Sequence, residues 1–115
     1  MKHVTFADKS LLIGNEATEI LLEYAAVLAG NDMADTVHMN AISADGDDVI
    51  AIFLLNSGSP LMAESSTTTV AEPDNSIAIE YMTDRIRLLR NPPPALAEEQ
   101  GPGSNFNQDD DAFDG

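Results

Sequence analysis

Two hydrophobic periods alternate along the first ninety residues. Over "NEATEILLEYAAVLAGN" the apolar positions Ala17, Ile20, Leu21, Tyr24 and Leu28 recur at three- and four-residue steps, which places them on one face of an α-helix. Asn15 stands where an N-cap is needed, Glu16 and Glu19 suit the positive end of the helix dipole, and Gly30 with Asn31 supplies a stop. A second stripe, Ala78, Met82, Ile86 and Leu89, predicts a helix capped by Asp74 or Asn75 and running to about Arg90. Arg85, Arg87 and Arg90 fall toward its negative end.

Outside these segments the period shortens to two. "HVTFA" alternates through Val4 and Phe6, with "SLLIG" as its hairpin partner. "TVHMNAIS" sets Val37, Met39 and Ala41 against Thr36, His38 and Asn40, so one face is expected to be wet. "VIAIFLL" is apolar at every position, which predicts a central strand covered on both sides. "PLMAESSTTTV" is a further β-branched run, reached through the Ser57-Gly58 turn. The resulting fold class is α+β: a mainly antiparallel sheet of three to five strands with two helices packed on one face.

The bend between the third and fourth strands, "SADGDD", gathers Asp45, Asp47 and Asp48 around Gly46. A calcium loop needs D-x-[DN]-x-[DN]-G and a later bidentate Glu; here one carboxylate precedes the glycine and Val49 to Leu55 follows. Asp45-Gly46 instead signals a two-residue type I′ turn. That turn pairs Ser43 with Asp48, Ala41 with Ile50, Met39 with Ile52 and Val37 with Leu54. A one-residue bulge is the alternative, because the second strand is apolar on both faces.

Charge changes the picture at the C-terminal end. Residues 1–90 form a single domain that holds 14 of the 20 acidic residues and all 5 basic ones. Residues 91–115, "NPPPALAEEQGPGSNFNQDDDAFDG", hold the other 6 acidic residues and no base, a composition that cannot bury enough apolar surface to offset ordering. They are expected to form a disordered acidic tail. Within it Phe106 and Phe113 stand seven apart among Asp109, Asp110, Asp111 and Asp114, a pattern that suits docking onto a basic, apolar groove. These six are the candidate partner-binding residues.

The formal net charge of −15 disfavours direct binding to nucleic acid and to anionic membranes. With no cysteine there is no disulfide framework, thiol nucleophile or zinc ribbon. The amino terminus lacks a secretory apolar core, so a cytoplasmic protein is the default. Only two histidines are present, and Ser57-Gly58-Ser59 is not a nucleophile elbow. His38 is expected to be a surface imidazole. Ser65 to Val70 suits an exposed strand or its exit, and the three arginines suit dipole compensation better than an anion site.

The expectation is therefore a small acidic protein without catalytic, cofactor or metal site, acting through protein–protein contact. A specific form is an acidic decoy of the immunity, antitoxin or DNA-mimic kind, in which carboxylates imitate phosphates toward a basic partner. A homodimer through the sheet edge "LMAESSTTTV" is also expected. One alternative is a ligand-binding or hydrolytic domain, with a helix–sheet pocket and polar groups converging near Tyr24, Tyr81 or His38. Another is a structural subunit of a larger assembly.

Overall fold

In the computed structural model, which describes residues 1–92, the elements follow the order β1 (Lys2–Phe6), β2 (Lys9–Ile13), α1 (Asn15–Gly30), β3 (Asp35–Ile42), β4 (Asp48–Leu55), β5 (Leu61–Ser65) and α2 (Ser76–Arg90). The α+β class is as expected, with five strands and two helices. The expected tail and its candidate residues Phe106, Asp109, Asp110, Asp111, Phe113 and Asp114 lie outside the described residues.

The strands form one antiparallel sheet in the order β4-β3-β2-β1-β5. Its first hairpin turns at Ala7 and Asp8, with Ala7 at φ 57°, and aligns Val4 with Leu11 and Phe6 with Lys9. On its other side β1 aligns Val4 with Ala63 of β5. β2 stops at Ile13, where Gly14 leads into α1. Consequently β2 meets β3 at a single pair, Leu12 with Ile42. The sheet curls enough for the rings of Phe6 and Phe53, from β1 and β4, to meet edge to face at 5.9 Å.

The core lies between the sheet and the helices. Ala17, Leu21, Tyr24 and Leu28 of α1 and Met82 and Ile86 of α2 are buried against Val4, Ile13, Val37, Met39 and Leu55. The helical stripes therefore fall where the three- and four-residue spacing puts them. Their ends differ in detail. Gly14, not Asn15, occupies the N-cap of α1, without a side-chain bond. The left-handed residue after α1 is Asp32 at φ 55°, not Gly30. The Asn31 amide contributes to the stop by donating to the Val27 carbonyl at 2.8 Å.

The acidic bend takes the bulged alternative and not the two-residue turn, shifting the register by one residue, and the consequence is large. Ser43 C=O accepts from Gly46 N–H, and Ser43 N–H donates to Asp47 C=O, each at 2.9 Å. Gly46 lies at φ 91°, so the loop has three residues, Ala44 to Gly46, in a turn followed by a left-handed glycine bulge. The observed pairs are Ala41 with Val49, Met39 with Ala51 and Val37 with Phe53. A two-residue loop would have placed Ile50, Ile52 and Leu54 on the core side; the third loop residue turns them outward. β4 is also an edge strand rather than a central one. The expected cover on both of its faces is therefore corrected: Val49, Ala51 and Phe53 face the core, and the alternate row faces out. The last strand is shorter than expected, ending at Ser65.

Candidate interaction site

Because β2 ends at Ile13, β3 projects beyond it, and the edge from Asp35 to Asn40 has no strand beside it. The start of α2 takes that place. Asn40 N–H donates to Asn75 Oδ1 at 2.7 Å, and Asn75 Nδ2 donates to Asn40 C=O at 2.8 Å. The side-chain amide of Asn75 thus does for Asn40 what a neighbouring peptide unit does in a sheet. Asn40 Nδ2 adds a bond to the Asp74 carbonyl at 2.7 Å. Asn75 does sit at the N-cap of α2, but its side chain is spent on β3. Asp74 serves the helix instead, its Oδ1 accepting from Ser76 N–H at 3.0 Å.

These bonds fix which way the β3 backbone points. Both polar groups of Asn40 face away from β4, and in an antiparallel ladder this orientation repeats every second residue. The N–H and C=O of His38 therefore also face the open side. Thr36 N–H, one step further, is taken by its neighbour Asp35 Oδ1 at 2.8 Å. The open side is a cleft of about 580 Å³ between β3 and the first turns of α2, with Thr36, His38 and Asn40 on one wall and Asn75, Ala78 and Tyr81 on the other. That volume falls within the range of about 300–1,000 Å³ usual for binding sites.

A polar cluster closes the far end. Tyr24 Oη and Tyr81 Oη each donate to Asp35 Oδ2 at 2.5 Å. Arg85 Nε reaches the Tyr24 oxygen at 3.4 Å, and the two rings meet edge to face at 6.3 Å. Burial, together with the bond to Asp35, pushes the Tyr24 hydroxyl well above its ordinary range. The bond to Asp35 likewise raises Tyr81. At Asp35 partial burial opposes ionisation, but the two hydroxyls and the Thr36 N–H outweigh it and hold the carboxyl below its usual value. The cluster therefore consists of an ionised carboxylate and two protonated phenols at neutral pH. It ties the start of β3 to both helices.

The outer face of the β3–β4 hairpin continues from the cleft. Ile50, which lines the cleft, begins a row with Ile52 and Leu54 that is 69%, 62% and 54% exposed. By the same alternation the backbone groups of this row face away from β3. The loop after β4 covers one end of that edge: Ser59 Oγ donates to the Leu54 carbonyl at 3.0 Å. Asp45, Asp47 and Asp48 are exposed at the hairpin tip.

His38 is exposed on the outer face, opposite Ile52. The three arginines of α2 separate: Arg87 meets Asp84 at 2.8 Å, Arg90 meets Glu23 at 2.5 Å, and Arg85 belongs to the tyrosine cluster. Among the described residues no three His, Asp or Glu side chains converge as a metal site. No described helix is long and apolar enough to cross a membrane.

Two parts of this surface were not singled out from sequence. The long-range role of Asn75 was hidden by its capping position. Asp35 carried no pattern, although a tyrosine on the buried stripe of α1, Tyr24, signals that its hydroxyl needs a partner nearby. No family model, no curated protein and no solved structure is significantly similar to the chain.

Proposed function

We propose that the protein is a non-catalytic module that acts by protein–protein contact through the outer face of the β3–β4 hairpin and the adjoining cleft. One observation carries this reading: three large aliphatic side chains stand more than half exposed in a row on an edge strand. Val49 to Leu55 contains no charge, so β4 lacks the lysines or prolines that usually protect an edge. An apolar row of this kind marks a surface that is covered in use.

The surrounding acidity supplies steering. With a net charge of −15 and three carboxylates at the hairpin tip, a basic partner is attracted and its association weakens with salt. The acidic-decoy role is the most specific form of this proposal. The cluster at Asp35 supports a non-catalytic role, because neither its carboxylate nor its phenols sit near the neutral range that favours general acid–base work. A cytoplasmic setting belongs to the proposal, and the cysteine-free sequence fits it.

A small-ligand reading is favoured by one feature, the size of the cleft. A homodimer through a sheet edge has two candidate edges, β5 as expected and β4; β4 is the longer, and its one charge, Asp48, stands at its first residue. Ile52→Lys tests the contact reading without touching the core. The variant is expected to melt within about 0.5 kcal/mol of the wild type. It should lose the proteins captured from a native lysate by the wild-type chain, or its own dimer in sedimentation. Unchanged capture and unchanged mass would remove the reading.

A further inference from the structure

We propose that the cleft beside β3 receives an extended polypeptide segment as an added strand, paired to the backbone of His38 and continuing the pairing that Asn75 begins at Asn40. This deepens the protein-contact reading and rests on it. Three features of the cleft specify a strand in preference to a compact small molecule.

The first is the pattern of unmet backbone groups. His38 presents a donor and an acceptor one strand step from Asn40, and Asn40 is already satisfied by an amide that imitates a peptide unit. A chain entering the cleft finds its first register position filled by Asn75 and its next one open. β2 cannot fill it, because it ends at Ile13 and turns into α1.

The second is length and wall chemistry. Thr36 to Asn40 spans ~13 Å of extended backbone, enough for four or five residues of a partner. Ile50, Ile77 and Ala78 give the cleft apolar contacts, and Ile77 is 83% exposed. Alternate side chains of an added strand would meet this wall, as strand addition requires.

The third is charge. No lysine or arginine lines the cleft, and Asp74 lines its Asn40 end. Asp74 stays ionised, held low by the Ser76 backbone N–H. Its carboxylate already answers the start of α2, which therefore offers little to an anion. The segment that fits is extended, alternates apolar residues with basic ones, and needs no free carboxylate.

The test uses the full chain and a defined probe, the capped pentapeptide acetyl-Val-Lys-Val-Lys-Val-amide. Two isomers carry one backbone N-methyl group each, on adjacent residues, so that one of them must block the bonds toward β3. A fourth peptide replaces both lysines by glutamates. Titration followed by proton–nitrogen spectra should shift the His38 amide and slow its exchange at least tenfold at saturation. One N-methyl isomer and the glutamate peptide should each bind at least tenfold more weakly. A His38 amide untouched at millimolar peptide, or two N-methyl isomers that bind as well as the parent, would overturn the proposal. Should that happen while Ile52→Lys still abolishes partner capture, strand addition fails and the protein-contact reading stands.

Discussion

Met82→Ala lowers the unfolding free energy by about 3 kcal/mol, the middle of the range for deleting a buried Met side chain, and the melting temperature by roughly 15 °C for a domain of this size. Met82 is fully buried, and the only other buried residue within α2 is Ile86, at 7% exposure. Ala78, Ile79 and Leu89 pack against the core only in part, and the other attachments of α2 are polar: Asn75 to Asn40, Tyr81 to Asp35 and Arg90 to Glu23. Removing the Met82 side chain therefore takes away much of the apolar contact that seats this helix beside β3, and the cavity left is closed only in part. Leu88 is the control, since it lies on the same helix at 46% exposure; Leu88→Ala should stay within about 0.5 kcal/mol. Thermal unfolding followed by circular dichroism separates the two. Equal losses from both variants would mean that α2 does not bury the face described.

The second large effect belongs to Asp35. Its carboxylate receives both tyrosine hydroxyls and the Thr36 N–H. Asp35→Ala leaves the buried Tyr24 hydroxyl without its acceptor, whereas the half-exposed Tyr81 turns to water. Charged hydrogen bonds are worth about 1.5–3 kcal/mol each before that solvent access is discounted, so a loss of about 2 kcal/mol at pH 7 is expected. The pH dependence gives a sharper signature. The folded carboxyl is held below its unfolded value of roughly 3.9, so its contribution is complete above that value and is lost as the pH falls through the folded one. The gap between wild type and Asp35→Ala should therefore be constant from pH 7 to about 5 and shrink in more acidic solution. A gap that widens in acid would contradict the assignment, as would one that first appears above neutrality. Denaturant titrations at a series of pH values measure it.

Both effects show which parts of the molecule the chain makes legible. The helices were readable because their apolar positions recur at 3.6-residue spacing and are interrupted by polar ones; Leu21, Tyr24, Met82 and Ile86 could go nowhere else. The first hairpin was readable for the matching reason at period two. β4 was not, because "VIAIFLL" is apolar at every position, so neither its pairing register nor its buried face could be taken from alternation. The choice fell to the loop, where Gly46 at positive φ allows a third loop residue and reverses the strand's faces. An apolar strand that would suit the centre of a sheet thereby becomes an edge with an exposed aliphatic row. That exposure is the main functional clue, and it depends on a single residue of register.

The cleft was less accessible still. It exists because β2 stops at Ile13 and leaves Asp35 to Asn40 of β3 without a neighbouring strand, and because Asn75 reaches 35 positions back to Asn40. Neither fact has a local signature: an asparagine after Pro73 and before a helical stripe reads as a cap. The tyrosine cluster was half legible. Tyr24 and Tyr81 were placed where a pocket would gather polar groups, but Asp35 looked like one more of 20 acids.

Residue-resolved hydrogen exchange along β3 tests the open edge most directly. Val37 and Met39 donate into the ladder with β4, and Asn40 donates to Asn75. These three amides should be protected, while His38, set between them in the chain, should exchange near the rate of an unprotected amide. Protection at His38 equal to that of Val37 and Met39 would mean that its edge is already filled and that no strand can be added there.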